Sequence, residues 1–349
     1  MSIDERHDRK SSGLFADNIP VLIVVLIALT IGSAVLSLMI GRYWIDPGTI
    51  FSIILHPIIH SEKTWTPTVE TVIMDVRLPR VIAGLLVGSG LAICGAAYQG
   101  LFRNPLVSSE ILGVSSGAGF GAAIAIILSE LMLVIQVSSF IFGLIAVGLT
   151  YWIARVNRQT PILMLILSGI VVGSLFTAMT SICKYVADPM NKMPTIIFWL
   201  LGSLNHATGY DILVLGPVIF ICIILLLLIR WRINLISMGD EDAKALGVNT
   251  EHIKIIIILT TTLITAASVT MCGLVGWIGL VIPHIGRILV GPDNRHLLPV
   301  TVLIGAIFLV MVDTIARTLT SAEIPIGLLT AAIGAPLFAI LIRVSRIGW

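Results

Sequence analysis

Charged residues are scarce in this sequence. They make up 11% of its 349 residues, against about 25% in a typical soluble domain. Hydrophobic residues reach 57%, and the mean hydropathy is +1.06. A soluble core does not need so much apolar sequence, so we predict an all-α protein that crosses a membrane many times. The net charge of +2 is too small to indicate a nucleic-acid partner.

Cysteine is sparse as well, and the four residues lie in separate apolar runs. None forms a C-x-x-C pair, so neither a disulfide nor a metal role is predicted. The first 20 residues are charged and lack a short apolar segment followed by a small-residue cleavage pattern. We therefore expect residues 1–20 to form a cytoplasmic tail rather than a signal peptide, and residues 21–349 to form a single transmembrane domain.

Motifs for catalysis and for ion coupling are missing too. The sequence has no G-x-x-x-x-G-K-[ST] nucleotide loop and no nucleophile–base pair within an apolar run. Ion-driven carriers usually bury charges in their spans. Here the main exception is Asp313 with Arg317, which are one turn apart and are expected to pair with each other. His56 and His60 have Pro57 between them and no third ligand nearby, so no metal site is predicted.

Ten apolar runs are long enough to cross a bilayer, which takes about 17–25 residues. The unbroken run 255–286 is too long for one span and is divided at residues 273–276, while residues 193–204 are too few and are expected to form a surface or re-entrant helix. The predicted spans are 21–40, 81–102, 111–129, 132–154, 160–183, 211–229, 254–272, 274–290, 297–316 and 326–342.

The distribution of lysine and arginine sets the predicted orientation, because these residues are enriched in cytoplasmic loops. With the N-terminus inside, fourteen of the 21 lysines and arginines fall in inner segments and seven in outer ones. Both termini are therefore predicted to be cytoplasmic.

The most charged internal segment is SMGDEDAKALGV, residues 237–248, on the predicted inner face between spans six and seven. Its three acids suit the first turn of a helix, and Gly247 suits the position just past the end. A helix of about eight residues is not stable alone in water and needs a surface to pack on. Two interpretations stay open, a solvated loop and a lever that docks on a cytoplasmic motor protein.

Two arginines in RLPR, residues 77–80, lie on the predicted outer face against the orientation rule. They either snorkel to the interface or form a positive patch for an acidic partner. Glycines at four-residue spacing, such as Gly84 and Gly88, predict close helix packing. A weak internal repeat is suggested by Cys-Gly steps at residues 94–95 and 272–273, each followed by a proline-bearing inner turn.

Several long motifs, in order, resemble the permease subunits of FecCD-type ABC importers, which carry iron siderophores, haem or cobalamin. The resemblance covers about residues 20–345. Its motifs are RLPR, GSGLAICGAAYQGLFRNPLVSSEILGVSSGAG from residue 88, FWLLGSL from residue 198, SMGDEDAKALGV, GLVGWIGLVIPHIGR from residue 273 and EIPIGLLTAAIGAPLF from residue 323.

The resemblance implies a non-enzymatic subunit of ten helices in the cytoplasmic (inner) membrane. Its expected partners are a second permease copy or close paralogue, two cytoplasmic ATPase subunits that hold the ATP and Mg²⁺, an extracytoplasmic binding protein and membrane lipid. It implies docking of the binding protein on Arg77, Arg80 and Arg317. It also implies a coupling helix whose candidate contacts are Gly239, Asp240, Glu241, Ala243, Leu246 and Gly247.

By the same resemblance, spans five and ten line the transport path. The candidate path and gate residues are Asn157, Thr160, Pro161, Ser168, Gly169, Gly334 and Pro336. A path without charged or metal-ligating side chains is expected, and it favours a whole chelate, with ferric siderophore ahead of cobalamin, haem and molybdate. Two other classes stay open, an ion-driven secondary transporter or channel and, with little support, an intramembrane enzyme.

Overall fold

A computed structural model of the chain describes residues 13–15, 18–41, 43–59, 63–156 and 159–344. Within these ranges the backbone is helical with connecting turns, and the extended pairing is one isolated bridge between Val156 and Gln159. The all-α prediction is confirmed. The helices are α1 (Ile19–Met39), α2 (Pro47–Ile59), α3 (Pro67–Phe102), α4 (Val114–Leu128), α5 (Met132–Ala154), α6 (Ile162–Val186), α7 (Lys192–Leu201), α8 (Gly209–Leu228), α9 (Arg230–Met238), α10 (Asp240–Ala245), α11 (Thr250–Cys272), α12 (Ile278–Val290), α13 (Asn294–Thr318) and α14 (Ile326–Val344).

Each of the ten predicted spans coincides with a helix, but two of those helices are short. In the described part of the chain, eight helices are long and apolar enough to cross a membrane. Helices α4 and α12, at the positions of spans three and eight, have only 15 and 13 residues. The membrane-spanning architecture is therefore confirmed, while the count of ten stays a prediction.

Glycines and buried side chains explain why α4 and α12 are short. Gly113 (φ 82°) is the residue directly before α4, so that helix starts only at Val114, and Gly273 (φ 71°) ends α11, so that α12 starts only after the non-helical residues 273–277. The non-helical stretch 103–113 is satisfied from inside the protein, because Gln99 donates to the Val107 carbonyl and Thr150 to the Leu112 carbonyl. Irregular backbone at membrane depth is tolerated where it is buried in this way.

Helix α3 is the central helix of the bundle and begins 14 residues before the predicted span at 81. Its segment Val72–Arg77 is π-helical and ends two residues before Pro79, the proline of RLPR. A wider turn there accommodates Pro79, which has no N–H to donate. Helix α3 packs on α8, α11, α12 and α13.

The predicted close packing at glycines is present. A Cβ atom at Gly88 would collide with the backbone of Gly305 on α13, and one at Gly117 would lie 2.5 Å from the Phe142 carbonyl oxygen on α5. The backbones therefore touch where the side chains are smallest. The predicted Cys-Gly repeat is wrong in detail, since Cys94 lies mid-helix in α3 whereas Cys272 ends α11.

Helix α3 also separates two charged regions. Arg80 lies just after its π-helical segment and Arg103 just after its end, and the helical rise between them gives a separation of roughly 34 Å. We call the end with Arg77, Arg80 and Arg317 the outer end. The end with Arg103 and Gly239, which lie beside each other, is the inner end; both names follow the predicted orientation.

Candidate functional sites at the two ends of the bundle

The acidic segment at the inner end forms the predicted short helix. Helix α10 starts after Gly239, whose φ of 136° is open to glycine, and carries Asp240, Glu241 and Asp242 in its first turn. It ends where predicted: the Gly247 N–H donates to the Lys244 carbonyl (2.9 Å) and the Val248 N–H to the Ala243 carbonyl (3.0 Å). This pair of bonds is a Schellman motif, and Gly247 has the positive φ (80°) that it requires.

Helix α10 is anchored on one side and free on the other. Ala243 is fully buried, whereas the Leu246 side chain is 60% exposed. The side of α10 that faces away from α9 and α11 is therefore accessible to another protein. The solvated-loop interpretation is therefore wrong, because the segment is an ordered helix packed on α9 and α11.

A polar chain joins α10 to two other elements. The Lys254 ammonium of α11 is 2.6 Å from an Asp240 oxygen and 3.2 Å from a Glu251 oxygen. The second Glu251 oxygen accepts a hydrogen bond from Thr160. Pattern reasoning missed both Lys254 and Glu251; a lysine four residues into an apolar helix was the available indication.

The three predicted docking arginines meet at the outer end, but each one is buried and bonded inside the chain. Arg77 donates to the carbonyls of Leu38 (2.6 Å), Met39 and Tyr43. Arg317 donates to Ser37. Exposure of the three arginines is only 4–9%, so neither snorkelling nor an open positive patch describes them. Their role in docking stays a prediction.

Two carboxylates complete this outer cluster. Arg80 binds Asp313 at 2.8 Å and Glu323 at 3.0 Å. The expected pair between Asp313 and Arg317 exists, at 3.7 Å, but Arg80 is the closer partner of Asp313. Glu323 was missed as a site residue although it begins the EIPIG motif. All five groups line a pocket of about 200 Å³ together with Gly41 and Tyr43.

A second cavity, of about 600 Å³, runs along α6. Predicted path residue Gly169 lines it, and Ser168 beside Gly169 is buried. Thr160 is buried, and Pro161 supplies the carbonyl that begins α6. Asn157 lies outside the described residues. The cavity is lined mainly by small and hydroxyl side chains, namely Ser108, Glu110, Gly113, Ser116, Gly169, Gly173, Ser174, Thr177, Ala178 and Ser181, with Ile111 and Ile170.

Two hydroxyls and one carboxylate of this groove act as hydrogen-bond acceptors. Thr177 donates its hydroxyl proton to the Gly173 carbonyl (2.8 Å), and Ser181 donates to the Thr177 carbonyl (3.0 Å). Their oxygen lone pairs are left for the groove. Glu110, which sequence reasoning missed, adds a carboxylate that has no side-chain hydrogen-bond or ion-pair partner among the described residues. The expectation of a path without charged or metal-ligating side chains stays a prediction.

The other two path candidates lie on α14, away from the groove. Gly334 packs against Trp277, and Pro336 is exposed. Helix α6 packs on α4 and α5, whereas α14 packs on α7, α12 and α13. One chain therefore does not bring the two predicted path walls together. In the described part of the chain, no three histidine, cysteine, aspartate or glutamate side chains are grouped as metal ligands would be.

The family of the chain is shown by its similarity to known proteins. The model of the FecCD transport family matches residues 26–344. The chain belongs to the FecCD transport family. This FecCD permease is a multi-pass membrane subunit of ABC importers for metal chelates, which is a transport role.

Relatives of this FecCD permease differ in the cargo for which they are named. It is 40% identical to the molybdate import system permease protein MolB of Haemophilus influenzae over 326 residues, which are 93% of this chain and 96% of MolB. It is 40% identical to the cobalamin import system permease protein BtuC of Halobacterium salinarum, over 79% of this chain and 74% of that protein.

Among solved structures, the chain is similar to an inward-facing conformation of a metal-chelate-type ABC transporter. The TM-score is 0.83 at 38% identity, covering 93% of this chain and 99% of the other. The family and the fold are therefore established, and the specific substrate is not decided by similarity.

Proposed function

We propose that this permease imports a ferric siderophore across the cytoplasmic (inner) membrane, with both termini in the cytoplasm. Two copies, or this chain and a close paralogue, form the path. Two cytoplasmic ATPase subunits bind ATP and Mg²⁺ and drive it. An extracytoplasmic binding protein delivers the substrate at the outer end.

The observation that carries the transport mechanism is helix α10. It is a short, acidic, glycine-bracketed helix with one buried face and an exposed Leu246, at the end of the bundle opposite the arginine cluster. A motor protein that grips this helix can move α9 and α11, on which it packs. Force then enters the permease at one small surface rather than through an ion site within the bundle.

The charge of the α6 groove favours a chelate over a free oxyanion. Molybdate is an anion that needs hydrogen-bond donors or cations around it. The described lining of the groove includes no lysine, arginine or histidine, and it carries the carboxylate of Glu110 beside the lone pairs of Thr177 and Ser181. A siderophore complex brings amide and hydroxyl donors of its own, which suit these acceptors.

The outer cluster supports docking of the binding protein at the outer end. Glu323 is the most exposed member of the outer cluster, with 33% of its side chain accessible. An acidic residue of the binding protein would replace Glu323 on Arg80 while Asp313 keeps its own contact. Docking would then exchange one ion-pair partner for another and would not require burial of a new charge.

The second candidate substrate is molybdate, favoured by the 40% identity to a molybdate permease over nearly the full length of both chains. Cobalamin and haem are further candidates within the same family of importers. They differ from molybdate in being large organic complexes, so a single uptake experiment separates the two classes.

The test is uptake by the complete importer in proteoliposomes. The permease is purified from its native membrane with the ATPase and binding protein that accompany it. ATP is supplied in the compartment that the ATPase subunits face. Uptake of labelled ferric siderophore, cobalamin, haemin and molybdate is compared. Uptake of ferric siderophore, and not of molybdate, is expected; molybdate uptake alone would overturn the substrate assignment.

A further inference from the structure

The buried lysine at the inner end, Lys254, connects helix α10 to helix α11. Lys254 is 1% exposed and lies in the second turn of α11. It binds Asp240, the first residue of α10, and Glu251 in the first turn of its own helix. A buried ammonium requires such partners, since removing it from water without them is costly.

The chain of contacts continues beyond the lysine to α6. Glu251 accepts a hydrogen bond from Thr160, which is itself 1% exposed. Thr160 immediately precedes Pro161, whose carbonyl accepts from the Leu165 N–H at 3.1 Å and so begins α6. Helix α6 is the wall of the groove that carries Gly169 and Thr177. One polar route thus runs from the exposed helix α10 to the base of the groove wall.

The rest of α10 has few means of passing on a movement in that direction. Helix α10 packs on α9 and α11, and its Glu241, Lys244 and Leu246 side chains are exposed. Among the described residues of α10, Asp240 is the one that forms an ion pair with a buried side chain, that of Lys254. A displacement of α10 reaches α11 through the packing of buried Ala243 and through this ion pair, and the Asp240–Lys254–Glu251–Thr160 chain extends the second route to α6.

We propose that Lys254 is a positioning residue that transmits the movement of α10 to the start of α6. The proposal rests on the proposed function, because it gives α10 the role of receiving force. Lys254 touches neither substrate nor nucleotide in this account. It holds Asp240 and Glu251 in register, so that α10, α11 and the turn before α6 move together.

The experiment measures uptake and ATP hydrolysis of the complete importer in the same proteoliposomes. In Lys254→Met the rate of ATP hydrolysis stays near the wild-type rate, while substrate imported per ATP falls about tenfold, as expected for the loss of a coupling contact. Lys254→Arg, which keeps the charge and can donate to both carboxylates, restores most of the import-to-ATP ratio. The control is Arg295→Met, which removes an exposed cation at the same end and leaves the ratio unchanged.

A double-variant test separates transmission from simple stabilisation and stays informative if Lys254→Met does not fold. Asp240→Asn and Thr160→Val remove the two ends of the chain, which do not touch each other. If they act through one route, the double variant couples no worse than the poorer single variant. Additive losses, or an unchanged import-to-ATP ratio in Lys254→Met, would overturn the proposal. A wild-type importer that shows no ATP-dependent uptake would overturn the proposed function as well.

Discussion

The two ends of the bundle hold charged clusters of opposite design. At the outer end three arginines and two carboxylates, drawn from α3, α13 and the turn before α14, bind one another and the end of α1. At the inner end one buried lysine faces two partly exposed carboxylates, and the acidic helix beside it projects Leu246. The outer cluster is closed and the inner one is open, so rigidity is expected at the first and movement at the second.

The largest expected effect is that of breaking the outer cluster at its centre. Arg80→Met leaves Asp313, which is 2% exposed, without its closest partner. Removing one member of a buried pair costs about 3–5 kcal/mol. We expect a large drop in the unfolding temperature of the detergent-solubilised protein, partly relieved by adding Asp313→Asn. An unchanged unfolding temperature together with lost binding-protein affinity would show a docking arginine without a structural role.

At the open inner end the expected effect is on coupling and not on stability. Leu246→Arg changes an exposed side chain, so the unfolding temperature should be unchanged, but the ATPase contact surface is altered. ATP-dependent uptake is expected to fall by more than about tenfold, in line with removal of a buried interface anchor. Gly247→Pro should act in the same direction, because proline cannot adopt the positive φ of this position. Full uptake in both variants would show that α10 is not the lever.

An intermediate effect is expected in the groove between the two ends. Glu110→Gln keeps the size of the side chain and removes its charge. If the groove receives donor-bearing chelates, uptake of ferric siderophore should fall several-fold while ATP hydrolysis persists. Ser181→Ala, at the same groove but with its hydroxyl proton already donated to Thr177, is the milder comparison. A rise in siderophore uptake in Glu110→Gln would contradict the acceptor-groove account.

The smallest effect is expected at an exposed ion pair of the outer side. Lys63 and Glu70 are 3.1 Å apart, with side-chain exposures of 54% and 36%. Solvent screens such a pair, and many exposed pairs contribute nothing measurable. Lys63→Met should therefore leave both the unfolding temperature and uptake unchanged, in contrast to Arg80→Met. A comparable loss in both variants would show that burial is not what distinguishes the outer cluster.

Local patterns carried most of what the sequence predicted correctly. The bounds of α10 follow from Gly239, three acids and Gly247, all within nine residues, because helix ends depend on neighbouring positions. The apolar runs likewise located helices at all ten predicted spans. The early start of α3 at Pro67 was missed, since proline and charge around residues 75–80 argue against a helix in a single sequence.

Long-range partners could not be predicted in the same way. Arg80 and Asp313 are 233 positions apart, and only the fold determines that they meet. The sequence paired Asp313 with its neighbour Arg317 because spacing within one helix is all that a pattern shows. Glu110 and Lys254 were overlooked for the same reason: what matters at each is the groove or the helix end that other elements place beside it.

The central claim is that this chain is a permease driven from outside through α10. Its most direct test is uptake by the permease in liposomes with and without its ATPase, in the presence of ATP and of imposed proton and sodium gradients. The account predicts uptake only when the ATPase and ATP are present, whatever the gradient. Gradient-driven accumulation of substrate by the permease alone would contradict it.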